Sequence, residues 1–337
     1  EKASLADGTQ VHVSGTIAEP AAAGLDYLSR FGSDKETTVL VYDLGGGTFD
    51  LALVALYPKG RTNGDGDYYY DILAVDGLED VGGGEFDEIM YQLIEQKLQV
   101  PLNPSHKAAL RAEAEKIKKD LTFDAYADAE VLYNNEYLTV RVTREEFETA
   151  SRELLMRTIE ATKKMFERHS NQKPETIILT GGASQMPMVK RALEEAFPEY
   201  KGDEMKHKED KIQISNPSRA IADGAARYGT AEAMNDIAEK AEAASVVQTR
   251  VGYDLGIRFY HSVDDESGYI STYIPAGTPI PYQAAYQNST TLHEDQRYSG
   301  FTVYEANKAH PDSEQVAEDY TEIMKVSLDH GREVPKG

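Results

Sequence analysis

Residues Leu40–Asp50 read LVYDLGGGTFD, an apolar run, an aspartate, a glycine triplet and then Thr-Phe-Asp. A flexible linker would be flanked by polar residues, yet Leu51–Leu56 (LALVAL) continues apolar on the far side. Two buried strands, Thr38–Tyr42 and Phe49–Leu56, joined by a glycine turn is therefore the first reading. The acid, the threonine and the extra glycine ask for a further reason. Successive glycines let backbone N–H groups converge on an anion, because no Cβ blocks the approach. Thr48 adds a hydroxyl donor, and Asp43 at the strand end suits a Mg²⁺ ion held through its water shell.

The same device recurs twice. VGGGEFD (Val81–Asp87) opens a helix whose apolar positions Phe86, Ile89, Met90, Leu93, Ile94 and Leu98 fall at helical spacing. LTGGASQMP (Leu179–Pro187) ends the short buried strand Ile177–Thr180 and leads into a helix starting at Pro187. There, free N–H groups and the helix dipole favour a phosphate or a polar ring edge. Taken alone, a glycine triplet between strands such as Gly45–Gly47 is more often a tight turn than a phosphate loop, Gly82–Gly84 is as often simple turn chemistry, and Gly181–Gly182 is a weaker signal still. The charged segment His106–Leu121 is treated alike: Glu115, Lys118, Lys119 and Thr122 share adjacent helical positions, normally a solvated ion-pair face. They gain interest only if a glycine turn lies opposite, with space for a nucleoside between.

Around these turns the chain alternates helix and strand. Ile17–Leu28, with Pro20 in the first turn, predicts a helix. Asn-Gly and Asp-Gly within Tyr57–Tyr70 predict a hairpin, followed by a strand over Tyr69–Val75. Two short strands flank Asn134–Asn135, and Thr143 with Glu146 forms a capping-box pattern opening a long helix to about His169. Another helix covers about Pro217–Lys240. From Val251 the texture changes to short strands with Gly and Pro turns, placing a boundary near Ala241–Thr249. The first part is α/β, and the last part all-β.

Composition sets limits. The 337 residues carry a net charge of −23, which argues against nucleic-acid and anionic-membrane partners. There are no cysteines, so thiol catalysis and cysteine metal sites are excluded, in keeping with a cytoplasmic, reducing setting. No stretch approaches the ~20 apolar residues that span a bilayer. No G-x-x-x-x-G-K-[ST] occurs, nor a G-x-G-x-x-G after a strand, which disfavours P-loop and Rossmann sites. The histidines are scattered without metal-ligand spacing. Lacking an initiator Met at Glu1, the chain reads as a fragment.

Taken in order, IAEPAAAGLDYL, VYDLGGGTFDLALV, VGGGEFDEIM, AEAEKIKKDLT, VTREEFE, IILTGGASQMPMVKRAL and NPSRAIADGAA resemble the ATPase domain of the 70-kDa heat-shock chaperones. The match is to the second half of that domain and covers about Leu5–Glu232. The resemblance implies an α/β actin-like (ribonuclease-H-like) ATPase lobe over 1–240, with an α+β subdomain at about 80–142. A linker at 241–250 and a partial all-β sandwich over 251–337 follow, the latter resembling the opening of a peptide-binding domain through YDLGI, IPAGTPIP and FTVYEA.

The resemblance further implies ATP or ADP with Mg²⁺, and K⁺ as an optional companion. Gly45, Gly46, Gly47 and Thr48 match a phosphate loop, Asp43 the acid beside magnesium, and Asp50 an acid near bound cations, both through water. Glu19 matches a glutamate that arranges catalytic water, and Pro20 a conformational switch. Gly83 matches a glycine closing over the nucleotide. Glu115, Lys118, Lys119 and Thr122 match the helix at ribose and adenine, and Gly181, Gly182, Ala183, Ser184 and Gln185 the adenosine loop. Implied partners are unfolded or extended peptide segments and co-chaperones of the J-domain and nucleotide-exchange type. Departures stand at Gln185, where the family often has an adenine-stacking arginine, at Lys119, at Ser218 in place of an aspartate, and in the linker AASVVQT. The family's first phosphate loop and catalytic lysine match nothing in this sequence. Loss of such groups removes rate on the order of a hundred-fold each, so weak nucleotide binding and little hydrolysis are expected of this chain alone. A non-hydrolysing, nucleotide-responsive interaction protein of the same fold is the alternative; a sugar kinase or actin relative is disfavoured by the β segment.

Overall fold

A computed structural model describes residues 3–4, 10–11, 15–32, 35–58, 68–203, 209–215, 219–238, 246–260, 262, 268–280, 295–306 and 320–334. The chain divides into two compact units, Glu1–Val247 and Gln248–Gly337. The first begins with a minimal antiparallel pair, β1 (Ala3–Ser4) and β2 (Gln10–Val11), then α1 (Glu19–Phe31). There follow β3 (Thr37–Leu44), β4 (Phe49–Pro58), β5 (Tyr68–Leu78), α2 (Gly83–Leu98) and α3 (Pro104–Phe123). Next come β6 (Tyr126–Tyr133), β7 (Glu136–Thr143), α4 (Arg144–Arg168), β8 (Thr176–Thr180), a 3₁₀ turn at Ala183–Gln185, α5 (Pro187–Ala196), β9 (Ile212–Ile214) and α6 (Ala220–Ala238). The hairpin dipeptides at Asn63–Gly66, Ser218 and residues 241–245 lie outside the described residues.

The sheet at the heart of this unit runs β5-β4-β3-β8-β9. Strands β3, β4 and β5 form an antiparallel meander, whereas β8 and β9 join it in parallel. Both faces of β3 are covered, which is why its sequence is a continuous apolar run rather than an alternation. Leu40, Tyr42 and Leu44 point into a core shared with Phe86, Met90 and Ile94 of α2 and Ile159 of α4. Val39 and Val41 point the other way, to Ala21, Ala23, Leu25 and Leu28 of α1 and Ala220 of α6. The alanine run of α1 permits close backbone approach. A Cβ on Gly24 would sit 2.8 Å from Val54 Cγ2, and one on Gly224 of α6 would sit 1.8 Å from the Ala22 carbonyl oxygen.

The hairpin β6–β7 turns on Asn134 and Asn135, both at positive φ (51° and 66°), the geometry asparagine tolerates best among non-glycines. The capping box opening α4 is present: Thr143 Oγ1 accepts from Glu146 N–H, and Thr143 N–H donates to Glu146 Oε2 at 2.8 Å. Glu146 also accepts from Lys97 Nζ at 2.7 Å, tying the end of α2 to the start of α4. Strand β5 runs longer than the predicted Tyr69–Val75, because its pairing with β4 continues from Pro58↔Tyr68 to Phe49↔Leu78. Strand β9 was not predicted; its three residues bury only Ile212.

Next in the chain come β10 (Val246–Arg250), which begins in the last two residues of this unit, and then β11 (Leu255–Phe259), β12 (Tyr269–Ile274), β13 (Pro279–Ile280), β14 (Gln296–Ala306) and β15 (Tyr320–Val334). Strands β12-β11-β14-β15 make an antiparallel sheet with Ile270, Tyr304, Ala306 and Tyr320 packed together, and β10 pairs with β13 at Thr249↔Ile280. The described residues of the second unit form this all-strand layer, and the two-layer sandwich stays an expectation.

The Ala22–Gly224 contact leaves no room for a methyl group. Gly224→Ala should lower stability by about 2–3 kcal/mol, seen as a lower urea midpoint with unchanged slope. An unchanged midpoint would show that the helices separate freely there.

Candidate functional site

The predicted glycine turns converge. The turn between β3 and β4 closes through Gly45 N–H donating to the Thr48 carbonyl at 3.0 Å. It packs directly on the N-terminus of α2: Gly83 N–H donates to Gly45 O at 2.9 Å and Gly84 N–H to Gly46 O at 2.8 Å. A Cβ on Gly82 would lie 2.4 Å from the Gly47 carbonyl carbon, so only glycine allows this backbone-on-backbone contact. The first-turn donors of α2 are thereby engaged within the protein. By contrast, Gly46 and Gly47 N–H donate to no acceptor among the described residues, and open space surrounds the position of a Cβ on either.

The third turn is fixed from the opposite side. Gly181 has φ +81°, and a Cβ there would meet Asp43 Oδ1 and the Leu44 carbonyl oxygen, both at 2.4 Å. The buried Ser184 hydroxyl accepts from Leu44 N–H at 3.1 Å and lies 3.5 Å from the Tyr42 carbonyl, which it can donate to. Ser184 thus ties its loop to β3.

Between these turns lies a cleft of about 500 Å³, lined by Gly45, Gly46, Gly83, Gly84, Asp87, Glu115, Lys118, Lys119, Thr122, Phe123, Gly182, Ala183, Gln185 and Met186. The face of α3 singled out in the sequence therefore does lie opposite glycine turns. Glu19, Asp43, Gly47, Thr48, Asp50, Gly181 and Ser184 are not in its wall. Lys118 is buried, donating to the Gly83 carbonyl at 2.8 Å and pairing with Asp87 Oδ1 at 2.7 Å. Burial nonetheless holds the Asp87 carboxyl above its ordinary range, with Lys118 pulling the other way. Lys119 pairs with Glu115 at 2.6 Å. Asp87, Gly84, Phe123 and Met186 were not singled out from sequence; Asp87 at least sits inside the VGGGEFD motif.

The acids form a separate group beside the first turn. Asp43 on β3 stands directly opposite Asp50 on β4, a like-charge cross-strand pair. Thr48 Oγ1 donates to Asp50 Oδ2 at 2.7 Å. Burial, then Asp50, then Glu19 push the Asp43 carboxyl up to about 6. Among the described residues no group of three or more His, Asp or Glu is placed to hold a metal directly. A second cavity, of about 600 Å³ and walled by Arg30, Arg219, Asp223 and Arg227 among others, has no glycine cradle. Arg30 there is bound to Asp26 and Asp223 at 2.9 and 2.8 Å.

A profile of the Hsp70 protein family matches residues 7–327. The chain belongs to the Hsp70 family. Among curated relatives, the Chaperone protein DnaK of Stenotrophomonas maltophilia (strain R551-3) is 30% identical over 227 residues, covering 63% of this chain and 33% of the relative. This Hsp70 chain thus spans about a third of the length of that relative. The family carries an actin-like ATPase fold, and the mixed α/β first unit agrees with it. No described helix is long and apolar enough to cross a membrane.

The Asp43 shift makes a stability prediction. Its folded-state value of about 6 lies above the ordinary 3.8, so the folded chain binds the extra proton between those values. In metal-free buffer, stability should fall as pH rises from about 4 through 6 and level off above. Asp43→Asn should flatten this dependence and raise stability at pH 7, by on the order of 2 kcal/mol. Urea melts across that range would refute the assignment if both proteins showed the same slope.

Proposed function

We propose that the cleft binds an adenine nucleotide with Mg²⁺, and that the chain serves as the nucleotide-sensing half of an ATP-dependent molecular chaperone. The observation that carries this reading is the convergence of the three glycine turns and the Glu115–Thr122 face of α3 on one cleft, beside which Gly46 and Gly47 N–H find no acceptor among the described residues. Those donors suit phosphate oxygens, while Glu115, Lys119, Thr122 and Gln185 offer partners to ribose and base. Asp43 and Asp50 fit a hydrated Mg²⁺: their mutual repulsion is relieved by a cation, and the ion keeps waters rather than needing a protein cage. Bound Mg²⁺ would neutralise phosphate charge in a chain of net charge −23.

In the whole protein, nucleotide state would set the affinity of the β-strand unit for unfolded or extended peptide, a reciprocal coupling between two sites. J-domain and nucleotide-exchange co-chaperones would act on that cycle in the cytoplasm, and the strand-rich unit over 251–337 would belong to the peptide-binding sandwich. In this reading 241–250 is a linker, 1–240 the lobe, and 80–142 its subdomain.

One observation favours a second reading, in which nucleotide is a structural ligand that never turns over. Both lysines lining the cleft are already held by carboxylates, Lys118 by Asp87 and Lys119 by Glu115. Neither is poised to stabilise charge developing on a transferred phosphoryl group.

Isothermal titration with Mg-ATP and Mg-ADP tests the site. The chain should bind both, and Gly46→Val should bind at least about ten-fold more weakly, a loss of 1.4 kcal/mol or more. Because a side chain at position 46 meets open space, the variant should melt like the parent. No binding by the parent at millimolar nucleotide would overturn the reading, and phosphate release from bound Mg-ATP would discard the structural-ligand alternative.

A further inference from the structure

We infer that Phe123 is the base-stacking residue of this cleft, an assignment that rests on the nucleotide reading above. Phe123 is 81% exposed, the most exposed large apolar side chain among the described residues. A lone exposed phenylalanine is ordinary on any surface and by itself means nothing. This one is different in its placement. It is the last residue of α3, directly after Thr122, and it lines the same cleft as Gln185, Met186 and Lys119. Among the described residues no other aromatic ring and no arginine lines that cleft, so Phe123 is the one planar, polarisable face they offer it.

Its backbone is held in place. Arg144, the first residue of α4, donates from Nε to the Leu121 carbonyl at 2.7 Å and from a terminal nitrogen to the Thr122 carbonyl at 3.3 Å. Arg144 N–H donates to the Ala125 carbonyl at 2.8 Å, and Asp124 N–H to the Asp120 carbonyl at 2.9 Å. The carbonyls that would otherwise fray at the end of α3 are thus bound. A rigid turn carrying an exposed ring is a stacking platform with little ordering left to lose on binding. Gln185, whose amide both donates and accepts, faces the same space and can read a base edge of either polarity. Lys119, one turn before Phe123, is engaged by Glu115 and leaves the ring as the main contact for a base face. Stacking on an aromatic ring depends on the base having a π-face and little on its identity.

The test uses Mg-ADP and, as a base-free probe, Mg-tripolyphosphate. Phe123→Ala should bind Mg-ADP about ten-fold more weakly than the parent, while Mg-tripolyphosphate binding stays the same. The chain contains no tryptophan, so Phe123→Trp introduces a single indole whose emission should change on adding Mg-ADP and not on adding Mg-tripolyphosphate. Because the ring is exposed, both variants should melt like the parent in a thermal scan. If Phe123→Ala binds Mg-ADP as the parent does, or weakens both probes equally, or the indole emission ignores Mg-ADP, the stacking role is overturned while the site stands. If the parent binds neither probe, the site itself fails, and the stacking role with it.

Discussion

The contact on which the first unit depends is one of backbone with backbone, where the Gly45–Gly47 turn lies against Gly82–Gly84. Its two N–H···O bonds join the sheet to α2 with no side chain between them. Any Cβ at Gly82 would displace the neighbouring chain, so the geometry is written in absent atoms. The consequences run outward. With α2 docked in this way, α3 packs beside it, and Lys118 reaches from α3 to the Gly83 carbonyl and Asp87. The cleft is the space left over between that pair and the Gly181–Gln185 loop.

Electrostatics then decides what the space can accept. Carboxylates dominate its surroundings: Asp43 faces Asp50 across the sheet, and the two cleft lysines are each neutralised locally. A bare polyanion would find polar N–H groups but little positive charge. A cation-bound anion would find both the free donors of Gly46 and Gly47 and two acids whose repulsion the cation relieves. On the proposed reading, the site would favour a charge-compensated ligand through the scarcity of free cations as much as through the donors present.

Much of this was legible in the residues. The apolar run of β3 announced a buried strand and the capping box at Thr143 and Glu146 announced α4, whereas the glycine turns were placed but read as anion cradles and not as the backbone-on-backbone contacts they also make. The meeting of α3 with the glycine turns was legible only as a condition, since helical spacing tells which residues share a face but not what lies opposite. Other features went unread. β9 is three residues long and buries a single isoleucine, too short to stand out, whereas β15 does carry an apolar/polar alternation from Met324 to Asp329, on apolar residues that stay exposed. Ser184, expected at the adenosine loop, also clasps β3, a bond the sequence did not announce because a hydroxyl in a glycine loop is equally able to bond backbone or ligand. Phe123 gave no signal beyond following Thr122.

The pinning of α2 has a mechanical meaning. At one end its backbone is bonded to the Gly45–Thr48 turn; at the other, Lys97 is held by Glu146 at the head of α4. The helix between has sixteen residues and is about 24 Å long. A strut fixed at both ends resists bending and transmits displacement along its length. The start of α4 therefore holds both neighbours at once, α2 through the Lys97–Glu146 pair and the last turn of α3 through Arg144, so the two helices share one anchor.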